Sequence, residues 1–275
     1  MSDTAERSLA HWSEAGRAEM DAFYRVARQD YRLLAEARDW RALLAGRHTL
    51  QDVAAGSGKC PEALDRYAHL PPRPEIDYAL LDPSPFSIAE ARGALEPPFR
   101  AGAEYECTLQ DLDPAAGPFD VVWAIHALYA LPAGELDAGL ARFLGALAPD
   151  GLGAIANAAH DAHYLRFYRD FLSDFRDGEG TPFTASEQIL AALRRLGASV
   201  EVQRLDYVAE IALDDRATIE GYLQRCVFDD TVSLTEMEAS ERVGRYLAEH
   251  RDEEARLLRL PQHVDLILIA GGARA

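Results

Sequence analysis

Three observations in the sequence predict an α/β fold with a mostly parallel sheet and helices on both faces. Residues 48–53 read as a short strand running into the small-residue turn Ala54-Ala55-Gly56-Ser57-Gly58, with a helix beginning just after Cys60-Pro61. A second strand at 76–82 ends in a carboxylate, Asp82. The third observation is Val121-Val122-Trp123-Ala124, an apolar run of the kind that suits a central strand buried on both faces.

The first of these aims free backbone N–H groups and the positive end of a helix at one point, which suits an anion or a strongly polar ligand. Two familiar motifs fail there. A dinucleotide-binding Gly-x-Gly-x-x-Gly would need glycine where Pro61 stands. A phosphate-binding Gly-x-x-x-x-Gly-Lys-Ser/Thr would need glycine in place of Val53 and a hydroxyl in place of Cys60.

Composition narrows the function. With a formal net charge of −18 and a pI near 4.8, nucleic acid and anionic membrane are poor partners. Three scattered thiols, Cys60, Cys107 and Cys226, show no Cys-x-x-Cys spacing and predict reduced cysteines in a cytoplasmic protein. The first twenty residues carry charges and no apolar core of a signal peptide, and no apolar run approaches the roughly 18 residues that span a bilayer. Lys59 is the only lysine, against many arginines.

Residues 9–44 read as two or three helices, with Phe23, Val26, Tyr31, Leu33, Leu34, Trp40 and Leu43 supplying apolar faces. After the turn come a helix at 61–70 stopped by Pro71-Pro72-Arg73-Pro74, a helix at 83–95, and a third strand at 104–107. A helix at 135–147, a turn at Pro149-Asp150-Gly151 and a fifth strand at 152–157 follow. Thr184 and Glu187 predict a capping box opening a helix at 184–196. A long alternating strand at 199–211, helical and charged residues at 214–259 and a last strand at 264–270 complete the chain. His160 and His163 share a helix face, but no third ligand is evident and no metal is expected. Without a repeat or linker, residues 1–275 read as one domain.

Asp82 lies 24 residues beyond Gly58 (82 − 58), near the separation of a ribose-binding acid in such folds; capping of the next helix is the competing reading. Asp52-x-Ala54-Ala55-Gly56-Ser57-Gly58 resembles the first motif of class I S-adenosylmethionine-dependent methyltransferases, with Ala54 where the first glycine stands. That departure is mild on extended backbone and awkward at φ above zero. Phe119-Asp120-Val121-Val122 resembles the fourth-strand motif of the same superfamily. A weaker resemblance to histamine N-methyltransferase and its bacterial relatives lies in Ala124–Leu131, in 221–228 and in the last strand. That family has Gln at His126 and a lid Glu near Gln29, so histamine itself is set aside.

The resemblance implies a Rossmann-like, seven-stranded sheet with an N-terminal helical lid (1–46), a cofactor-binding core (47–158) and a substrate-side half with C-terminal helical additions (159–275). It implies S-adenosylmethionine held by Asp52, Ala54, Gly56 and Gly58, with Asp82 and Pro83 at the ribose, Asp111 and Leu112 at the adenine, and Ala124 and Ile125 toward the methionine end. His126 and Tyr129 are the candidate catalytic residues, and Tyr24, Gln29, Tyr31, His160 and Gln262 the candidate acceptor contacts, Asp30 being a candidate pocket residue with Gln29 and Tyr31. The expected reaction moves a methyl group by in-line displacement to a small molecule, an amine nitrogen being favoured over a hydroxyl; a homodimer stays open. A nucleotide-dependent oxidoreductase and a non-catalytic relative are the alternatives, the first opposed by Pro61 and Asp111.

Overall fold

The computed structural model describes residues 3–11, 13 and 17–271; the helical stretch expected from residue 9 crosses 12 and 14–16, which lie outside them. The strands are β1 (Thr49–Val53), β2 (Ile76–Leu81), β3 (Phe99–Tyr105), β4 (Phe119–Ile125), β5 (Leu147–Ala158), β6 (Val200–Ala212), β7 (Arg251–Asp252) and β8 (Leu257–Ala270). They form one sheet in the order β3-β2-β1-β4-β5-β8-β6, with β7 hydrogen-bonded to β8. The first five run parallel, and β8 is antiparallel to both β5 and β6. The sheet therefore has eight strands where seven were expected, the extra one being the two-residue β7.

Strand side chains alternate between two cores. Leu50, Tyr78, Leu80, Val121 and Trp123 face one side, against α2 (Arg17–Glu36), α3 (Trp40–Leu44), α7 (His163–Phe175) and α9 (Arg216–Val227). Ala79, Leu81, Val122, Ala124 and Ile155 face the other, against α6 (Leu136–Ala146) and α8 (Ser186–Arg195). Trp123 is fully buried, with Trp40, Tyr78 and Phe99 edge-on around it at 5.7–6.3 Å between ring centroids. The remaining helices are α1 (Asp3–His11), α4 (Lys59–Ala63), α5 (Pro85–Gly93), α10 (Leu234–Ala239) and α11 (Arg242–Glu249).

Several boundaries differ from expectation, each for a local reason. β3 begins at Phe99, not 104, because it is an edge strand with Arg100 to Glu104 exposed and so lacks an apolar pattern. The helix expected at 61–70 is α4 followed by a single π-helical turn, Leu64–Ala68, ended by His69 at φ 50°. The turn expected at 149–151 is an irregularity inside β5, where the pairing jumps from Phe119↔Leu147 to Val121↔Leu152. Thr184 does not cap α8: its hydroxyl donates to the Leu131 carbonyl at 2.6 Å, Glu187 holds His160, and the Gln188 side chain accepts from the Ala185 N–H instead. β8 starts at Leu257, not 264; Pro261 is tolerated because β8 pairs with β5 only from Val264 onward. No helix among the described residues is long and apolar enough to cross a membrane.

Candidate active site

A cavity of about 570 Å³ opens at the carboxyl ends of β1, β2, β4 and β5, whose terminal residues Val53, Leu81, Ile125 and Ala158 all line it. From β1 the chain moves out to β2 and β3, then returns to add β4 on the other side of β1. That reversal leaves a crevice, and ligands of open α/β sheets bind there.

One end of the cavity is made by the glycine turn and two carboxylates. Ala54 sits at φ 54°, the awkward alternative for a residue with a Cβ, and Gly56 at φ 55°. Asp82 is buried; one oxygen accepts from the Ser84 N–H at 2.8 Å and the other from the Gly56 N–H at 3.1 Å. Burial raises its pKa, and these two backbone donors pull it back. The helix α5 is capped by the Ser84 hydroxyl, which accepts from the Ser87 N–H at 3.2 Å, so Asp82 is not the cap. Asp52 is buried beneath the turn and accepts from the Tyr78 hydroxyl at 2.6 Å. Burial pushes its carboxyl up to about 7 against that hydrogen bond. Asp111 stands exposed on a 3₁₀ turn, accepting from the Thr108 hydroxyl at 2.7 Å, and lines the cavity with Pro83.

The donor set fits the expected cofactor. Each Asp82 oxygen has one N–H partner and a lone pair left, which suits two adjacent ribose hydroxyls, and Asp111 is an open acceptor for an amino group.

The other end is built from α2, the residues after β4, α7 and α9. Phe23, Tyr24, Ala27, Asp30 and Tyr31 line the cavity because they recur at three, four and seven positions along one face of α2. Tyr24, pushed by burial up to about 12, and Tyr31, raised by burial and then by Tyr24 and Asp30, keep their protons at neutral pH. His126 follows β4 at φ 52°, its N–H donating to the Ala156 carbonyl at 2.8 Å. Its Nε2 lies 3.1 Å from Asp30 Oδ2 but off the line of a hydrogen bond. The Tyr129 hydroxyl meets Ser8 Oγ at 2.9 Å, and its ring stacks on Phe228, so α1 lies across this end, with Ala5, Ser8 and Leu9 on the wall.

Six expected site residues lie off the cavity wall. Gly58 (φ 71°) faces α5: a Cβ there would come within 2.9 Å of Ala94 and 3.1 Å of Ala91, so it is required by packing. Leu112 and Ala124 are inside the second core. Gln29 is exposed, one position out of register with the lining face of α2. Gln262 is buried behind the aromatic wall, donating to the Tyr222 hydroxyl at 3.2 Å. His160 is exposed and pairs with Glu187 at 2.7 Å; with Asp161 these form an exposed cluster that Arg204 already approaches at 3.7 and 3.9 Å. His163 belongs elsewhere, buried against the Tyr246 hydroxyl, with burial lowering its pKa to about 3.

Sequence reasoning missed Asn157, Tyr164, Phe183, Arg225 and Phe228, all on the wall. Asn157 was legible: it stands near the carboxyl end of β5, as His126 follows β4. The others come from α7, α9 and a loop, where no local signal marks an inward side chain.

A family profile described as "Methyltransferase domain" matches residues 51–152. No curated protein matches the chain. Among solved structures, a candidate methyltransferase from Bacillus halodurans C-125 is similar at TM-score 0.59 and 14% identity, covering 87% of this chain and 99% of that one. The plantazolicin methyltransferase BpumL, solved with S-adenosylhomocysteine, is similar at TM-score 0.52 and 13% identity, covering 97% of this chain and 95% of that one. An O-methyltransferase family protein from Burkholderia thailandensis is similar at TM-score 0.54 and 15% identity, covering 96% of this chain and 63% of that one. A methyltransferase-domain profile thus covers residues 51–152, and the chain shares its fold, with the crevice at the reversal point of the sheet, with methyltransferases, one of them solved with S-adenosylhomocysteine.

Proposed function

We propose that the enzyme methylates the nitrogen of a small-molecule amine, within one domain whose cofactor half is 47–158 and whose acceptor half is 1–46 with 159–275. The observation that carries this reading is His126, whose Nε2 has no hydrogen-bond partner among the described residues and which lies on the wall past the end of β4. S-adenosylmethionine, when bound, supplies a methyl group on a sulfonium sulfur, which takes the S–C bonding pair as the acceptor lone pair forms the new bond.

The protein's tasks are therefore to hold, orient and dry the reactants. Asp82 would hold the ribose hydroxyls, Asp111 the adenine amino group, and Asp52, Ala54, Gly56, Pro83 and Ile125 the walls between. His126, with its proton on Nδ1, would accept at Nε2 the proton of an arriving ammonium, exposing the lone pair. Tyr129 and α1 would close that end to water. A hydroxyl acceptor would have to develop negative charge beside the Asp30 carboxylate, which favours nitrogen.

The first test is thermal unfolding with S-adenosylhomocysteine, with NAD as control. Ligand at a hundredfold excess over Kd adds about 2.7 kcal/mol, a shift of several degrees. No shift at saturation removes the reading. His126→Ala is then expected to leave that shift intact and to lower turnover of an accepted amine at least tenfold; unchanged turnover strips His126 of its role. Methylation of phenols in preference to amines would replace nitrogen by oxygen.

A further inference from the structure

Asp30 is only 3% exposed, yet its carboxylate lies on the cavity wall and its Oδ1 has no hydrogen-bond partner among the described residues. A buried carboxylate oxygen left open in this way is costly to keep unless something binds it. His126 Nε2, 3.1 Å from the other oxygen, is also without a hydrogen-bond partner among the described residues. The two groups thus lie side by side without a hydrogen bond between them.

Around this pair the wall is aromatic. Phe23, Tyr24, Tyr31 and Tyr164 all line the cavity, with ring centroids 5.5 Å apart for Phe23–Tyr24, 6.1 Å for Tyr24–Tyr31 and 6.2 Å for Phe23–Tyr164. Aromatic faces attract cations, and that of Tyr24 already carries the Lys59 ammonium at 5.3 Å from its centroid. The titratable groups facing Asp30 are Tyr31 on its own helix, His126, Tyr164 and Tyr207; burial raises all three phenols, so they remain neutral. The buried Arg225 guanidinium, also on the wall, acts on Tyr24 and Cys226.

We infer that Asp30 is the acceptor's counter-ion, and that the acceptor is bound as an organic cation: a protonated amine on an apolar body, donating one N–H to Asp30 and one to His126. The inference rests on the acceptor end assigned above and gives it a substrate class. An alcohol of the same skeleton has one O–H and no charge, so it satisfies one acceptor at most.

The test uses pairs of aliphatic and arylalkyl amines and alcohols sharing a skeleton, from ethyl to phenylethyl and larger. Each is titrated calorimetrically into the full chain saturated with S-adenosylhomocysteine. The amines are expected to bind at least tenfold more tightly than their alcohols. Asp30→Asn is expected to abolish the preference with the affinity for S-adenosylhomocysteine unchanged, which also reports that the variant is folded. Asp30→Glu, which keeps the charge, is expected to retain it. Alcohols binding as tightly as amines, no binding by any amine, or a preference surviving in Asp30→Asn overturns the inference. Failure to bind S-adenosylhomocysteine at all would instead overturn the methyltransferase reading beneath it.

Discussion

The two ends of the cavity are built differently. The proposed cofactor end is assembled from strand termini and turns between Asp52 and Asp111, and much of its chemistry lies in backbone groups such as the Gly56 and Ser84 N–H. The proposed acceptor end takes side chains from α1, α2, the residues after β4, α7 and α9. Backbone sites depend on turn geometry, which small residues dictate locally. Side-chain sites depend on which helix face packs inward, which the rest of the molecule decides.

The largest effect should come where buried ionisation couples the cofactor end to folding. Asp52 is raised to about 7, so the folded state keeps a proton that the unfolded chain releases above about 4, and stability falls as pH rises from 4 to 7. His163 is lowered to about 3, so the unfolded chain takes up a proton below about 6.5 that the folded state refuses, and stability falls as pH drops from 6.5 to 3. Between 4 and 6.5 the two oppose. Asp52→Asn should remove one and leave a slope of up to about 1.4 kcal/mol per pH unit, seen calorimetrically as a steeper fall of Tm on acidification. A parallel pH curve for variant and parent would mean Asp52 ionises normally.

Next in size is Asp82→Ala, expected to weaken S-adenosylhomocysteine by about 1.5–3 kcal/mol, as for hydrogen bonds to a charged group, while leaving the amine preference over alcohols intact. An unaltered Kd would take Asp82 out of the site. Ala54→Gly should relieve the left-handed backbone at φ 54° and stabilise the fold by about 1 kcal/mol, raising Tm by about 2–4 °C. A lower Tm would show that the turn tolerates a Cβ without strain. The smallest effect is the most discriminating for the α2 register: Gln29→Ala should change stability and binding by less than about 0.5 kcal/mol, whereas its neighbour Asp30 should matter greatly.

Legibility followed the same division. That Asp82, Asp111, Ile125 and the turn meet at one cavity is readable because a strand's carboxyl end and a small-residue turn are marked by residues adjacent in sequence. Gly58 was read for the wrong reason: its glycine is demanded by the approach of α5, a contact between elements. Gln29, Asp30 and Tyr31 are all pocket candidates from the sequence, yet only Asp30 and Tyr31 line the cavity, since a helix face cannot be phased to one residue from its apolar pattern alone. Gln262 and His160 failed for the same want of tertiary information: one packs behind the wall and the other turns to Glu187.

By itself the sequence determined the α/β alternation, the strands at the crevice and the acids on its wall, because period, turn chemistry and carboxylate position are local properties of the chain. Only the tertiary structure decided that Asp30 meets His126 across 96 residues (126 − 30), that Tyr164 and Phe228 complete the wall, and that β8 runs on past β5. Those follow from how helices pack on a twisted sheet, which no single segment encodes.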